Sequence, residues 1–404
     1  MVSITQAGGG SLRTFEGFAK DMSALTRALR ADVGGADLRH LRRIEWAGRL
    51  CTFAGFATAW IAPNPISAIL LAQGMIARFF IGHHIGHGAY DAVPGLPRRY
   101  HSQTFGRGWR RFADWADWWN HDDWLYTHNQ LHHRHTQSPL DADIMDSQLF
   151  ARLPRVVRLA LLILFTATWK FSYYAPRMRR EHATLKAGVA RTRPYDFVPA
   201  DLLDLTDPVV RTLWRRDYLP YLAFRFGLPV LVVWPFGSWF AFSVLANLVL
   251  AELIHNAQTF ICIRPSHCAA DIPLFRSAHT NRVEFYLQSI LGTVNYRHPG
   301  AFGSFIQGWT NYQVEHHLWP SATLLQYKKA RPAVQAICAR HGVPYRAEPV
   351  LGRYAKTARL FMGLEHQALL DTRPIAAGAA IPAFGGAERL FAGMTQPGRC
   401  QDPV

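Results

Sequence analysis

Two long stretches with almost no formal charge constrain this chain more than any other feature. Between Arg49 and Arg78 lie 28 uncharged residues, and between Arg225 and Arg264 lie 38 residues whose only formal charge is Glu252. A membrane-spanning helix needs about 20 apolar residues, so each stretch has room for two crossings. Such stretches are difficult to place in a soluble domain. The sequence therefore predicts an integral membrane protein.

Turn residues divide each stretch into two helices. The first is interrupted at Pro63, Asn64 and Pro65, and the second between Pro235 and Ser238. Proline cannot continue a helix without losing a hydrogen bond, so both interruptions predict tight turns. A third apolar run, about 156–169, ends at Lys170 and is too short to span, so we expect an interfacial or buried helix there. The predicted spans are about 44–62, 65–81, 219–235 and 238–263.

Basic residues determine the expected orientation. The 44 Lys and Arg exceed the 28 Asp and Glu, and they are concentrated before Arg49, between the two apolar stretches and after Arg264. By the positive-inside rule, both termini and the middle of the chain lie in the cytoplasm. The predicted fold is an all-α integral membrane protein with four transmembrane helices in two hairpins. Its predicted segments are a cytosolic N-terminal segment (1–45), a membrane domain (46–345) and a partly disordered tail (346–404).

Histidines form three clusters with related spacing. Nine of the 19 histidines fall between residues 83 and 135. Helical residues four apart share a face, whereas adjacent residues are rotated by about 100°. Paired adjacent histidines therefore point at two nearby positions, which suits two metal ions better than one, and all three clusters lie on the same predicted side of the membrane. The predicted ligands in these clusters are His83, His87, His128, His132, His133, His316 and His317.

The histidine-rich composition leaves the metal open among zinc, copper, iron and nickel. The five cysteines show no CxxC pair, which argues against a thiolate zinc site or an iron–sulfur cluster. His255, near the inner end of the fourth predicted helix, is an eighth predicted ligand because an ionisable residue there is costly unless it faces a cavity or metal. His84 and His135 flank the clusters and are expected to support the ligands. Nine histidines match no cluster and are expected to be ordinary: His40, His101, His121, His182, His267, His279, His298, His341 and His366.

These clusters resemble the three histidine boxes of the membrane fatty acid desaturase family, HxxxH, HxxxHH and (H/Q)xxHH, over about residues 46–345. The resemblance implies four membrane helices below a cytosolic helical cap that holds two irons. It also implies an additional ligand on the fourth helix, which His255 matches. Gln313 replaces the first histidine of the third box, as in front-end desaturases, and is expected to be a weak ligand or to hold a water. Asp141 or Asp143 is expected to orient a ligand histidine.

The resemblance implies a membrane-bound desaturase for acyl lipids or acyl thioesters that uses O2 and two electrons. The donor is external, ferredoxin-like or cytochrome-type, since the chain shows no haem domain, and neither a bound nucleotide nor nucleic acid is expected. A hydroxylase, ketolase or related oxygenase with the same metal site is the alternative. A membrane zinc hydrolase needs only three protein ligands, fewer than the eight predicted here. The sequence leaves open the acyl chain, its carrier, the bond position, the donor and the oligomeric state.

Overall fold

The computed structural model of the chain describes residues 15–144, 153–188, 202–297 and 300–382. Helices dominate these ranges. Those of the first half are α1 (Glu16–Ala31), α2 (Gly35–Ala59), α3 (Pro65–Gly86), α4 (His121–Trp124), α5 (His133–His135), α6 (Arg155–Trp169) and α7 (Ala175–Lys186). Those of the second half are α8 (Pro208–Leu213), α9 (Leu219–Leu222), α10 (Leu228–Val233), α11 (Ser238–Ile263), α12 (Arg282–Leu291), α13 (Gly300–Ile306), α14 (Gln313–Leu318), α15 (Leu324–His341), α16 (Val350–Phe361) and α17 (Arg373–Ala376).

Tighter and wider helical turns connect several of these helices. The wide, π-helical segments are Arg111–Trp115, Leu125–His132, Lys170–Tyr174, Trp214–Tyr218 and Ala223–Gly227, and the tight, 3-10 turns are Arg98–Tyr100, Trp234–Phe236, Arg264–Ser266 and Thr310–Tyr312. Strands are only two residues long: β1 (Leu274–Phe275), β2 (Asn295–Tyr296), β3 (Ala347–Glu348) and β4 (Leu369–Leu370). β1 pairs with β4, and β2 pairs with β3, both in parallel.

Four helical stretches in the described ranges are long and apolar enough to cross a membrane: Pro65–Gly86, Arg155–Lys186, Pro208–Phe236 and Ser238–Ser266. Three of them contain a predicted span. The remaining predicted span, 44–62, lies largely in α2, which is not among the four because its first turns carry several arginines. Apolar side chains on these helices face outward, as at Ile163 and Leu231, which are 62% and 69% exposed. Exposed apolar surface of this extent is what a lipid environment requires.

The run at 156–169 differs from the prediction. α6 does not end at Lys170 but continues through the π-helical turn into α7, giving a helix of 32 residues. The prediction treated Lys170 as the polar end of a short helix. In the structure Lys170 is fully buried, and its Nζ lies 2.7 Å from Oδ2 of Asp117. Asp117, which is remote from Lys170 in the sequence, compensates the charge of the buried ammonium group. The helix can therefore continue through Lys170 instead of ending there.

The chain turns where prolines and glycine predicted it. Asn64 caps α3 by accepting a hydrogen bond from the Ser67 amide at 2.8 Å, and Pro65 occupies the first turn of that helix. Gly237, with φ of +135°, separates the Trp234–Phe236 turn from α11. The helices on either side of the first turn pack closely, since a Cβ on Gly48 would lie 2.6 Å from the Ala77 Cβ. Only small residues allow this approach of α2 to α3.

The predicted C-terminal segment, 346–404, contains α16 and α17. α16 packs on the turn after α11 through Arg353, which is completely buried and donates to the Pro265 carbonyl at 3.1 Å and to both oxygens of Asp271. Thr357 on the same helix donates to the Cys268 carbonyl. Residues 1–14, His298 and residues 383–404 lie outside the described residues.

We expect Asp271→Asn to destabilise the protein by about 2 kcal/mol or more at neutral pH. Burial acts to raise the pKa of Asp271, but hydrogen bonds from Arg353 and Lys356 lower it from 3.8 to about 2. A carboxyl group with a depressed pKa stabilises the fold above pH 4, and this contribution disappears as the pH falls towards 2. The free energy of unfolding of the purified variant and of the wild type is measured at pH 7 and at pH 3. The difference between the two proteins should be smaller at pH 3. Glu365→Gln, which removes only an exposed partner of Arg359, is the matched control and should change little.

Candidate metal centre

All three predicted histidine clusters meet in one place. The first is at the last turn of α3, where His83 lies one turn before His87. The second runs through the π-helical segment Leu125–His132 into α5, and the third is on α14. The segments come from distant parts of the chain, so the tertiary fold, rather than local sequence, creates the site.

One group of four imidazoles consists of His83, His87, His128 and His316, whose nearest ring nitrogens all lie within 4.8 Å of one another. Nε2 of His83 is 3.0 Å from Nε2 of His316 and 3.3 Å from Nε2 of His87. His83 and His87 share a face because they are four residues apart on a helix, as the sequence predicted.

A second group consists of His132, His267 and His317, all buried. Nε2 of His317 lies 3.1 Å from Nε2 of His267. His267 was predicted to be an ordinary histidine because it belongs to no motif. It follows the tight turn Arg264–Ser266 directly after α11, and Gln137 holds its carbonyl oxygen by a hydrogen bond of 2.6 Å. Its position just past the inner end of the fourth apolar stretch was the one signal available in the sequence.

His133 lies between the two groups. Its ring centroid is 4.7 Å from those of His87 and His316 and 4.6 Å from that of His317. Its Nε2 is 3.1 Å from Nε2 of His128, five residues earlier. The sequence prediction assumed an α-helix, in which residues four apart share a face. The predicted contact is present, since the ring centroids of His128 and His132 are 5.2 Å apart. The π-helical winding additionally brings His128 and His133, five residues apart, together, and His132 also faces His267 and His317.

These imidazoles have the geometry and protonation state that metal ligands need. Two nitrogens bound at about 2.1 Å to one ion and at right angles are about 3.0 Å apart, close to the separations observed. Burial lowers the pKa well below its ordinary value at six of these histidines, and repulsion between neighbouring rings lowers the pKa further. The rings are therefore neutral and offer lone pairs. The six are His87, His128, His133, His267, His316 and His317.

Several of the same rings have a buried nitrogen with no hydrogen-bond partner among the described residues, namely Nδ1 of His128, His133 and His267. These Nδ1 atoms lie on the ring edge opposite Nε2, the nitrogen through which His83 faces His316, His128 faces His133 and His267 faces His317, so the Nε2 lone pairs are the ones directed at a shared position. Nitrogen donors without thiolates suit iron, zinc, copper or nickel. The residues present thus fit a metal centre.

Hydrogen bonds at Nδ1 orient three of the rings. His132 Nδ1 lies 2.9 Å from Oδ1 of Asp141, His316 Nδ1 lies 3.1 Å from the Tyr327 hydroxyl, and His317 Nδ1 lies 3.2 Å from the Thr136 hydroxyl. A partner at Nδ1 fixes the tautomer and leaves Nε2 for a metal.

Asp141 is buried and also accepts the Gln137 amide at 2.7 Å. Burial acts to lower the pKa of His132, but the charges of Asp141 and Asp143 raise it above its ordinary value. The structure thus places both aspartates beside a candidate ligand, the position predicted from the sequence.

We expect Asp141→Asn to weaken metal binding by about 10- to 100-fold, the usual effect of removing an acidic partner of a ligand histidine. The amide keeps the shape of the side chain but loses the negative charge, which orients the His132 ring and raises its basicity as a ligand. Chelator competition on purified protein, followed by metal analysis, measures the affinity. Asp122→Asn removes a carboxylate from an exposed pair with Arg107 and should leave the affinity unchanged; an equal loss in both variants contradicts the role of Asp141.

The remaining predicted site residues occupy different positions. Gln313 lines the same small cavity of about 40 Å³ as the histidine groups. His84 is buried beside the His316 and Tyr327 rings, and His135 is half-buried at the end of α5, two residues after His133. His255 is buried but lies outside the groups, with its Nε2 2.7 Å from Nζ of Lys170.

Aromatic side chains form much of the remaining wall of this cavity. Phe79, Trp124, Trp169 and Trp309 line it together with the histidines. Such a lining excludes water and presents an apolar surface directly beside the nitrogen donors.

The chain is similar in sequence to known proteins. The sequence profile of the fatty acid desaturase family matches residues 38–349. The chain is 25% identical to the NADPH-dependent stearoyl-CoA 9-desaturase of Mycobacterium tuberculosis, over 96% of this chain and 88% of that protein. It is 33% identical to fatty acid desaturase 3 of Bos taurus, over 78% of this chain and 65% of that protein. An acyl-lipid (8-3)-desaturase of Thraustochytrium sp is 21% identical over 77% of this chain and 66% of that protein.

Proposed function

Because this chain belongs to the fatty acid desaturase family, we propose that it introduces a carbon–carbon double bond into an acyl chain. The proposed enzyme is a non-haem di-iron oxidoreductase that consumes O2 and two electrons from an external donor. Two relatives are named for a stearoyl-CoA and for an acyl-lipid activity, and a fatty acyl group is common to both names. We therefore propose an acyl thioester or acyl lipid as the substrate.

The convergence of imidazoles from four distant segments, most of them held neutral, is the observation that carries this proposal. Eight rings form the proposed ligand set. His267 replaces His255 in it, because a nitrogen 2.7 Å from an ammonium group has its lone pair engaged there, and a second cation beside Lys170 is electrostatically unfavourable. The proposed ligands are His83, His87, His128, His132, His133, His267, His316 and His317.

Removing hydrogen from an unactivated methylene is beyond side-chain acid–base chemistry, and two bound irons would supply the oxidising power. The balanced reaction takes an acyl CH2–CH2 unit, O2, two electrons and two protons to an alkene and two waters. The protein's own contribution is to position the reactants. Asp141, Thr136 and Tyr327 orient ligand rings, and the aromatic wall holds the methylene groups beside the site and excludes water.

The proposed arrangement in the membrane is two helix hairpins below a cytosolic cap, with both termini in the cytoplasm. The concentration of Lys and Arg outside the apolar stretches supports it. The same basic face suits an acidic external electron carrier, ferredoxin-like or cytochrome-type, through charge complementarity.

Expression in a host of simple lipid composition, followed by fatty-acid profiling with double-bond location, tests the reaction. We expect a new unsaturated species two hydrogens lighter than its precursor. The species should be absent with His317→Ala and retained with His366→Ala, which alters an exposed histidine. A product that instead gains one oxygen identifies a hydroxylase, and an unchanged lipid profile with well-expressed, iron-loaded protein contradicts oxidation of these acyl chains.

A further inference from the structure

Arg78 carries a charge inside a helix that is apolar enough to span the membrane. It lies on α3, five residues before His83, and is partly buried. No described residue forms a hydrogen bond or ion pair with its guanidinium; Arg49 and Arg225 are near enough to repel it, and Asp114 attracts it from beyond ion-pair distance. An ionisable group at such a depth is costly unless it has a partner, and it therefore indicates a function.

The cavity around Arg78 has an excess of positive charge. It measures about 290 Å³, lies between α2, α3 and the segment 99–114, and is lined by Arg49, Arg78, Arg99 and Arg110. Glu45 and Asp114 are the only acidic residues among its lining residues. Glu45 pairs with Arg49 and Arg99, and Asp114 pairs with Arg110. Four guanidinium groups thus face two carboxylates, and Arg78 is the one left without a partner among the described residues.

A second, mainly apolar cavity of about 300 Å³ lies on the other side of Arg78, which lines both. Phe56, Phe112, Phe224 and Leu228 supply apolar walls. Arg225 lines this cavity, its Nε is buried without a hydrogen-bond partner among the described residues, and Nη2 contacts the sulfur of Met75 at 2.6 Å. A thioether is only a weak acceptor, so a second guanidinium is incompletely satisfied next to Arg78.

Two incompletely paired guanidinium groups beside an apolar cavity match an anion with a hydrocarbon tail. Guanidinium groups bind phosphate oxygens in a fork, and several of them can share one phosphate. Exposed tryptophans on the same side, Trp46 at 62% and Trp109 at 75%, mark the depth at which lipid head groups lie. Basic pockets between membrane helices at this depth suit acidic head groups.

We propose that the arginine pocket, formed by Arg49, Arg78, Arg99, Arg110 and Arg225, binds an acyl lipid whose head group is anionic and contains a phosphate. The phosphate lies between Arg78 and Arg225, and an acyl chain occupies the apolar cavity. His255 and Asp117 line the apolar cavity, but none of the eight proposed metal ligands lines either cavity, so this site is separate from the metal centre and goes beyond the proposed function. A phospholipid of the bilayer and an acyl-coenzyme A both present this chemistry.

Lipid binding to the full chain in phosphatidylcholine nanodiscs tests the pocket. One arm adds phosphatidylglycerol and the other adds palmitoyl-coenzyme A, with bound ligand read by native mass spectrometry and the melting temperature. In at least one arm we expect one bound anionic ligand per chain and a melting temperature higher than in phosphatidylcholine alone. Phosphatidylglycerol binding identifies the bilayer as the source, whereas binding of palmitoyl-coenzyme A alone identifies the thioester. Both outcomes support the pocket.

Arg78→Gln and Arg225→Gln should each weaken this binding by at least tenfold and abolish the melting-temperature increase. Arg78→Lys should retain part of the binding, because it keeps the charge but loses the fork. Arg359→Gln alters an exposed arginine paired with Glu365 and should bind as wild type does. Because Arg78→Gln removes a charge without a protein partner, the variant should melt in pure phosphatidylcholine at or above the wild-type temperature. Binding in both arms that is unchanged by Arg78→Gln and Arg225→Gln overturns the proposal.

Discussion

Replacing His132 by alanine is expected to reduce desaturation by more than 100-fold and to lower the iron content of the purified protein. His132 faces both His267 and His317 and is the ring that Asp141 orients. Loss of a partner that only supports a ligand already costs about 10- to 100-fold in affinity or activity, so loss of the ligand itself should cost more. Fatty-acid profiles and elemental analysis of the same preparation measure both effects.

His101→Ala is the matched control for this prediction, since His101 is a partly exposed loop histidine outside the groups. It should leave iron content and unsaturation at wild-type values. If His132→Ala also keeps wild-type iron content and wild-type unsaturation, the histidine clusters do not form the reaction centre.

The second large effect separates His267 from His255. We expect His267→Ala to lower iron content and to abolish desaturation, because His267 lies 3.1 Å from His317 in the second group. We expect His255→Ala to keep its iron, because His255 contacts Lys170 instead. The number of irons per chain in each purified variant shows which of the two histidines is a ligand, and this measurement does not depend on activity.

The melting temperature completes that comparison. His255→Ala leaves Lys170 with Asp117 as its remaining ion-pair partner, so we expect a less stable protein that is still loaded with metal. If His255→Ala loses iron while His267→Ala retains it, the ligand on the fourth helix is the one predicted from the sequence, and the assignment of His267 fails.

Much of the candidate site could be predicted because the relevant pattern is local. His83 and His87 are four residues apart at the end of an apolar helix, and that spacing alone places both rings on one face. The adjacent pairs, His132 with His133 and His316 with His317, likewise indicate two neighbouring positions. Such arguments need only the geometry of one helix.

Features that depend on contacts between distant residues could not be predicted in this way. His267 reaches the second group through a tight turn and a hydrogen bond from Gln137, which is 130 positions away. Lys170 looked like the end of a short helix because its partner, Asp117, is remote in the sequence. The π-helical winding at His128 also has no signature in the apolar pattern, and it adds a contact between His128 and His133, five residues apart.

We propose that eight imidazoles from distant segments hold two irons beside an apolar cavity. Counting metal atoms per chain in purified, full-length protein by elemental mass spectrometry tests this most directly. We expect two irons per chain, with fewer in His132→Ala and His267→Ala. A single metal ion per chain, or zinc in place of iron after expression in iron-supplemented medium, contradicts it.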